Sequence, residues 1–187
     1  MQAYRGILIV VNLMRLHLPL LYHNIGIDLG TSNSLIYMDK RGIVVNEPTI
    51  VALNNKTNKL LAVGEEAKKM LGRTPMHISV IRPLIGGVIS DFEMSQEILR
   101  HFLKRLAGNS MFSSYRKAVI GVPSNLTEVE RKSVEDAVMG AGVFQPYIID
   151  EPLAAALGAR LPVNEPTANM IVDIGGGTTE VAIISMA

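Results

Sequence analysis

The chain has 187 residues, 48% of them apolar, and carries a net charge of +1 from 18 Lys plus Arg against 17 Asp plus Glu. That length fits one substantial domain and little more, the apolar content excludes intrinsic disorder, and the charge balance gives no basis for nucleic-acid binding by a basic surface. Cysteine is absent, so disulfides and thiolate metal sites are excluded and a reducing interior is the simplest setting; His17, His23, His77 and His101 lack the spacing of a metal site.

Residues 1–24 form an apolar N-terminal segment. From Ile7 to Tyr22 it is interrupted by Asn12, Arg15, His17 and Pro19, too broken for a spanning helix of about 20 apolar residues. Three readings stay open: a peripheral anchor in a membrane surface, a signal peptide without a clear cleavage site, and a mis-assigned start with Met14 as the initiator. From Asn24 the pattern becomes regular. Ile25, Ile27 and Leu29 alternate with Gly26, Asp28 and Gly30, which predicts a strand. A small polar turn, Thr31–Ser34, leads into Leu35–Met38 as a hairpin, and Ile43–Val45 predicts a third strand.

Residues from about 48 to 90 read as a small inserted subdomain: a strand over Thr49–Leu53, a polar turn at Asn54-Asn55, another short strand, and a brief helix near Glu65–Leu71. Ser90 with Glu93 then predicts a capping box for a helix whose Phe92, Ile98, Leu99, Phe102, Leu103 and Leu106 share one face, ending at Gly108. Ala118–Val122 predicts a buried strand. Thr127 with Glu130 opens a second capped helix, with Val134, Ala137, Val138 and Ala141 inward and Gly140 and Gly142 as its stop. A strand at Tyr147–Ile149 feeds a helix beginning Asp150-Glu151-Pro152, where Pro suits a first turn. After a linker at Pro162–Pro166, Met170–Ile174 and Glu180–Ser185 predict a last hairpin. Helices alternating with strands after an opening meander give an α/β fold with a mixed sheet.

Two distant segments resemble each other. Ile27-Asp28-Leu29-Gly30-Thr31-Ser32-Asn33-Ser34 and Val172-Asp173-Ile174-Gly175-Gly176-Gly177-Thr178-Thr179 each run from an apolar strand through Asp, an apolar residue and Gly into a small polar turn. Turns of such small residues let backbone N–H groups approach an anion closely, and two of them facing each other would grip a polyphosphate. A carboxylate at each strand end would repel that phosphate unless a cation lay between, so Asp28 and Asp173 are candidates to hold a hydrated Mg²⁺. The plainer reading is two ordinary Asp-x-Gly hairpin turns. Glu151, at a helix start after a buried strand, could orient a water toward a γ-phosphate; taken alone, it serves equally to stabilise that helix N-terminus. Glu128 and Glu130 read as capping and solvent-face residues.

These hairpins and the Asp150-Glu151-Pro152 helix start resemble the superfamily of actins, sugar kinases and seventy-kilodalton heat-shock chaperones. Gly42–Pro48, Met70–Pro75, Ile81-Arg82-Pro83 and Asp173–Val181 are similar to the rod-shape-determining bacterial actins of the MreB type, over about residue 24 to the end. The resemblance implies an actin-like (ribonuclease-H-like) mixed five-stranded sheet with flanking helices over 25–166, and the start of a second domain at 167–187. It also implies ATP and Mg²⁺ as cofactors, with hydrolysis coupled to polymerisation. Filaments on the inner face of the cytoplasmic membrane would organise the cell-wall elongation machinery. Carried over by position, Asp28 and Asp173 stand on the metal side, and Glu151 orients the hydrolytic water. Thr178 sits beside the γ-phosphate. Gly30, Thr31, Ser32 and Asn33 form the first phosphate loop, and Gly175, Gly176 and Gly177 the second.

Gly86-Gly87, where the family has an acidic residue before glycine, and Asn125, where glycine is common, depart from the pattern; both are expected to bear on packing more than on chemistry. The family continues past Ala187 through segments that hold the adenosine. This chain is therefore expected to bind ATP weakly or not at all, to leave an apolar hairpin with exposed edges, and not to form ordinary filaments. A non-hydrolysing subunit that joins or caps filaments of a full-length partner, a chaperone nucleotide-binding domain and a small-molecule kinase are the competing readings.

Overall fold

The computed structural model describes residues 22–107 and 114–186; the expected anchor or start segment before Tyr22 and the helix stop at Gly108 lie outside the described residues. Three strands open the fold: β1 (Tyr22–Leu29), β2 (Asn33–Met38) and β3 (Gly42–Pro48), each antiparallel to the next. β9 (Ser114–Val122) and β10 (Val143–Asp150) complete a five-stranded sheet in the order β10-β9-β1-β2-β3, with β9 parallel to both neighbours. The mixed sheet expected from the pattern is therefore present. β10 is longer than its apolar triplet suggested and includes Pro146, which lacks a ladder N–H and is tolerated because β10 is an edge strand.

Between β3 and the first long helix come β4 (Val51–Asn54), β5 (Lys59–Val63), a short helix α1 (Glu65–Met70), β6 (Ile78–Ile81) and a minimal hairpin of β7 (Leu84–Ile85) and β8 (Val88–Ile89). The three-stranded antiparallel sheet β5-β4-β6 packs Ile50 and Ala52 on Ala67 of α1. The sequence pattern did not disclose β6 or the β7–β8 hairpin, whose strands are too short to show periodicity. Gly86 and Gly87 link β7 to β8 with φ of 57° and 75°, the successive positive angles that two-residue hairpin turns require and glycine adopts freely.

Helices α2 (Phe92–Ala107) and α3 (Glu128–Gly140) cover one face of the large sheet. Ile25, Ile27, Leu29, Ile36, Met38, Ala118 and Ile120 from the strands meet Ile98, Leu99, Phe102, Val134 and Val138 from the helices in one continuous core. Alternation along the strands sends Gly26, Asp28, Tyr37 and Val119 to the opposite face, where Tyr37 is 51% and Val119 46% exposed. The capping box of α3 forms as expected, Thr127 Oγ1 accepting from the Glu130 N–H and Glu130 accepting from the Thr127 N–H at 2.8 Å. That of α2 does not: Asp91 Oδ1 caps the helix by accepting the Met94 N–H at 3.1 Å, while the Ser90 hydroxyl donates to the Pro83 carbonyl. The start slips by one residue because Asp is an equally good cap and Ser90 is held by the preceding turn. Phe92, expected inward, is consequently half-exposed, and Met94 and Ser95 take the buried positions.

Helix α4 (Glu151–Gly158) follows β10 directly, and the antiparallel pair β11 (Asn169–Ile174) and β12 (Thr179–Ile184) closes the described chain. This pair forms a separate two-stranded sheet. One face packs Ile171 and Ile184 on Ala156 and Leu153 of α4; the other presents Met170, Val172, Ile174, Val181 and Ile183, all exposed.

Phe102 has no exposed surface and sits at the centre of the main core, beside the Arg105 guanidinium. Phe102→Ala should lower stability by about 3–5 kcal/mol, read as a shift of the urea unfolding midpoint, because the cavity cannot collapse between a sheet and two helices.

Candidate functional site

The carboxyl ends of β1, β9 and β10 stand level with one another. Asp28 of β1 is in register with Gly121 of β9, and Gly121 with Ile149 of β10. Glu151, two residues beyond Ile149, begins α4, and its Cγ lies 3.4 Å from where a Cβ on residue 121 would be. The lack of a side chain at 121 thus leaves room for the Glu151 carboxylate beside Asp28. In open α/β sheets the crevice beyond such strand ends is the usual place for a ligand.

The turn from β1 to β2 is tight: a Cβ on Gly30 would fall 2.8 Å from the Asn33 carbonyl. It spans fewer residues than expected, since Asn33 and Ser34 already belong to β2 and Ser34 is fully buried. The turn from β11 to β12 is closed by the Gly175 N–H donating to the Thr178 carbonyl at 2.9 Å. The two turns face and touch. A Cβ on Gly176 would lie 2.5 Å from Ser32 Cβ, and one on Gly177 would lie 2.8 Å from Thr31 Cβ. Only residues without side chains permit this approach.

A cleft of about 640 Å³ opens at this meeting point. Asp28, Gly30, Thr31, Ser32, Asn33, Glu151, Asp173, Gly175, Gly176, Gly177 and Thr178 all line it, so the structure brings together every candidate site residue read from the sequence. Gly26, Tyr37, Ile43 and Val119 extend the cleft over the uncovered face of the large sheet.

The carboxylates repel one another. Burial raises the Asp28 carboxyl above its ordinary value, and the charge on Asp173 adds to the shift. Glu151 is pushed up to about 7, first by burial and then by Asp28, Glu180 and Asp173. Among the described residues no three His, Cys, Asp or Glu side chains converge to hold a metal ion directly. A cation between Asp28 and Asp173 would have to keep its own waters.

Several supporting residues escaped the sequence reading. Thr49, fully buried, donates from its hydroxyl to the Gly30 carbonyl at 2.7 Å and lies 2.8 Å from Ser34 Oγ. A hydroxyl has one proton, so Ser34 must be the donor in that pair. The Thr49 N–H also donates to the Ser32 carbonyl at 2.9 Å. A hydroxyl residue in β2 and another just beyond the end of β3 were the available signal. Gly87, read as a matter of packing, bears on the site directly: its N–H donates to Thr31 Oγ1 at 2.8 Å, and it lies beside Thr178. Its partnership with the first turn depends on a contact 56 residues apart, which no local pattern reveals.

The profile of the family described as MreB/Mbl protein matches residues 22–187. The cell shape-determining protein Mbl of Bacillus subtilis is 50% identical over 163 residues, which is 87% of this chain and 49% of that protein. The cell shape-determining protein MreB of Escherichia coli is 47% identical over 168 residues, covering 88% and 48%. Among solved structures, MreB5 of Spiroplasma citri bound to ADP superposes with a TM-score of 0.80 at 39% identity, over 88% of this chain and 49% of that one, and the same protein bound to AMPPNP gives 0.79. A double helical filament of MamK gives 0.70 at 25% identity, over 86% and 49%. The chain therefore spans about half the length of the curated relatives it matches.

Two outcomes follow from this geometry. Thr49→Val should cost about 1–3 kcal/mol in urea unfolding, because it strands the Gly30 carbonyl and the Ser34 hydroxyl in the interior. Glu151 binds a proton up to about pH 7 in the folded chain but only to its ordinary 4.5 when unfolded. Between those values the folded state holds more protons, so stability falls as pH rises and the full penalty applies above 7. Glu151→Gln should therefore leave the free energy of urea unfolding near wild type at pH 4.5 and raise it at pH 8 by about 1 kcal/mol, after discounting for the half-exposed side chain.

Proposed function

The chain belongs to the MreB/Mbl family, and from that premise we propose that it is an actin-like cytoskeletal protein. In this reading its two glycine hairpins bind the phosphates of ATP with Mg²⁺, weakly where only this half of the relatives' length is present, and ATP-dependent self-association into filaments needs the rest of the family's fold. The observation that carries the reading is the convergence of Asp28, Asp173 and Glu151 between two turns stripped of side chains. The nucleotides bound by MreB5 of Spiroplasma citri and the filament of MamK support it by likeness. The chaperone and small-molecule-kinase readings lose their ground to the family match.

Within this reading each residue has a physical task. The backbone N–H groups of Gly30–Asn33 and of Gly176 and Gly177 bind phosphate oxygens from two sides, while the Gly175 N–H closes its own turn. Asp28 and Asp173 hold a hydrated Mg²⁺ through its waters, and the cation supplies the positive charge that offsets both the phosphates and the crowded carboxylates. Thr178 offers its hydroxyl beside the terminal phosphate. Glu151 orients the attacking water from the start of α4, where it lines the cleft beside Asp28. Placement against the inner face of the cytoplasmic membrane and service to the cell-wall elongation machinery complete the proposal. No described helix is long and apolar enough to cross a membrane.

A second reading has its own observation. The exposed apolar face of Met170, Val172, Ile174, Val181 and Ile183 favours a subunit that joins filaments of a longer relative without turnover; co-sedimentation with such filaments, with no ATP hydrolysed, would identify it.

The nucleotide reading is tested by thermal unfolding with ATP at millimolar concentration, with and without Mg²⁺. A ligand that binds only the folded state raises the midpoint in proportion to its occupancy. A small Mg²⁺-dependent rise in the wild type, lost in Asp173→Asn, is the expected result. No rise at any concentration, or an equal rise without Mg²⁺, would count against it.

A further inference from the structure

The β11–β12 hairpin shares no sheet hydrogen bond with the five-stranded sheet it faces. It nevertheless has to hold Asp173 at the cleft that Asp28 and Glu151 also line, where burial raises both carboxyls and the charge on Asp173 adds to the shift. Apolar packing on α4 secures the base of the hairpin, where Ile171 and Ile184 meet Ala156 and Leu153. The tip, where Gly176 and Gly177 meet Ser32 and Thr31, is far from that packing along the strands and needs a second attachment.

Glu180 supplies one. It is in register with Asp173 on the neighbouring strand. Its Oε1 accepts two hydrogen bonds from Ser124, one from the backbone N–H and one from the hydroxyl, both at 3.1 Å. Ser124 lies in the turn between β9 and α3. Two donors on one ionised oxygen make charge-assisted bonds, stronger than neutral ones. The turn is itself anchored: Arg131 of α3 reaches the Ser124 carbonyl at 3.5 Å and pairs with Asp150 Oδ1 at 2.6 Å. Asp150 immediately precedes Glu151. A continuous run of polar contacts therefore joins the helix start that carries Glu151 to the strand that faces Asp173. Glu180 Oε2 is shut away from solvent and has no partner. Burying that oxygen, in a place where Glu180 also repels Glu151, costs stability, and the Ser124 bonds are what this placement gains.

We propose that Glu180 is a positioning residue: its bonds to Ser124 clasp the second glycine hairpin to the β9–α3 turn and set the separation of the two hairpins. The consequence for phosphate binding rests on the nucleotide reading above; the clasp itself does not.

The chain has no cysteine, so a Lys104→Cys, Val181→Cys pair takes spin labels on α2 and on the hairpin alone, and both positions are exposed. The distance between them, measured by pulsed electron resonance without nucleotide, should be single and narrow. Glu180→Ala should broaden the distribution roughly twofold while circular dichroism stays unchanged, since only the tip is released. Glu180→Gln keeps an acceptor oxygen for Ser124 and should restore the narrow distance. That rescue separates positioning by Oε1 from a general effect of charge. Ser124→Ala, which removes one of the two bonds, should fall between. An unchanged distribution in Glu180→Ala would overturn the proposal, as would a Gln variant as broad as Ala. If Glu180→Ala broadens the distribution but the wild type shows no Mg²⁺-dependent response to ATP, the clasp stands and the nucleotide reading falls. If ATP stabilises the wild type and Glu180→Ala alike while the distance stays narrow, the clasp falls and the nucleotide reading stands.

Discussion

Parallel pairing of β9 between β1 and β10 brings three strand ends to one edge, and the cleft is built outward from that edge. The register places Asp28, Gly121 and Ile149 side by side, so the residues just beyond them converge without any special side-chain packing. A slip of β1 by a single residue would turn Asp28 into the core and an apolar neighbour into the cleft. The register is held by the core face of the same strands, where Ile25, Ile27, Leu29, Ala118 and Ile120 are buried under α2 and α3. The chemistry of one face is thus fixed by the hydrophobic packing of the other.

The first hairpin inherits this rigidity. Its turn is held by Thr49, which the buried Ser34 hydroxyl contacts in turn, and by the Gly87 N–H on Thr31. The second hairpin has no such sheet around it and depends on α4 at its base and on polar contacts near its tip. A rigid half and a tethered half facing across a cleft is an arrangement suited to a ligand that bridges them. Motion of the tethered half would change the separation of Asp28 from Asp173 and with it the electrostatic strain on Glu151.

That strain is the clearest sign that the cleft is more than two adjoining turns. Hairpins ending in Asp-x-Gly are common, and either one alone explains itself as a turn. Two of them held tip to tip place Asp28 and Asp173 beside Glu151, where burial first and the neighbouring carboxylates second raise Asp28 and lift Glu151 to about 7, a cost that positive charge would offset. Burial and repulsion act in the same direction here, and a cation would relieve both.

By itself the sequence determined the local elements with strong periodicity or strong caps. Alternation in Ile25–Gly30, the Thr127/Glu130 box and the repeated Asp-x-Gly segments were all legible, because each is a relation between near neighbours along the chain. The repeat also made the residues of the two turns legible as a set, since two matched hairpins imply a partner for each, whereas the part given to Glu151 came from the family resemblance. Other features were decided only by the tertiary structure. The cap at Asp91 in place of Ser90 was settled by a turn that occupies the Ser90 hydroxyl. The roles of Thr49, Gly87 and Gly121 come from contacts with residues remote in sequence. The closeness of Gly176 to Ser32, and hence the need for glycine there, exists only once the second hairpin is docked. Periodicity and capping are set by bonds spanning a few residues and leave their mark in the order of side chains. Contacts across a cleft are set by how packed elements meet, and the order of side chains does not record that.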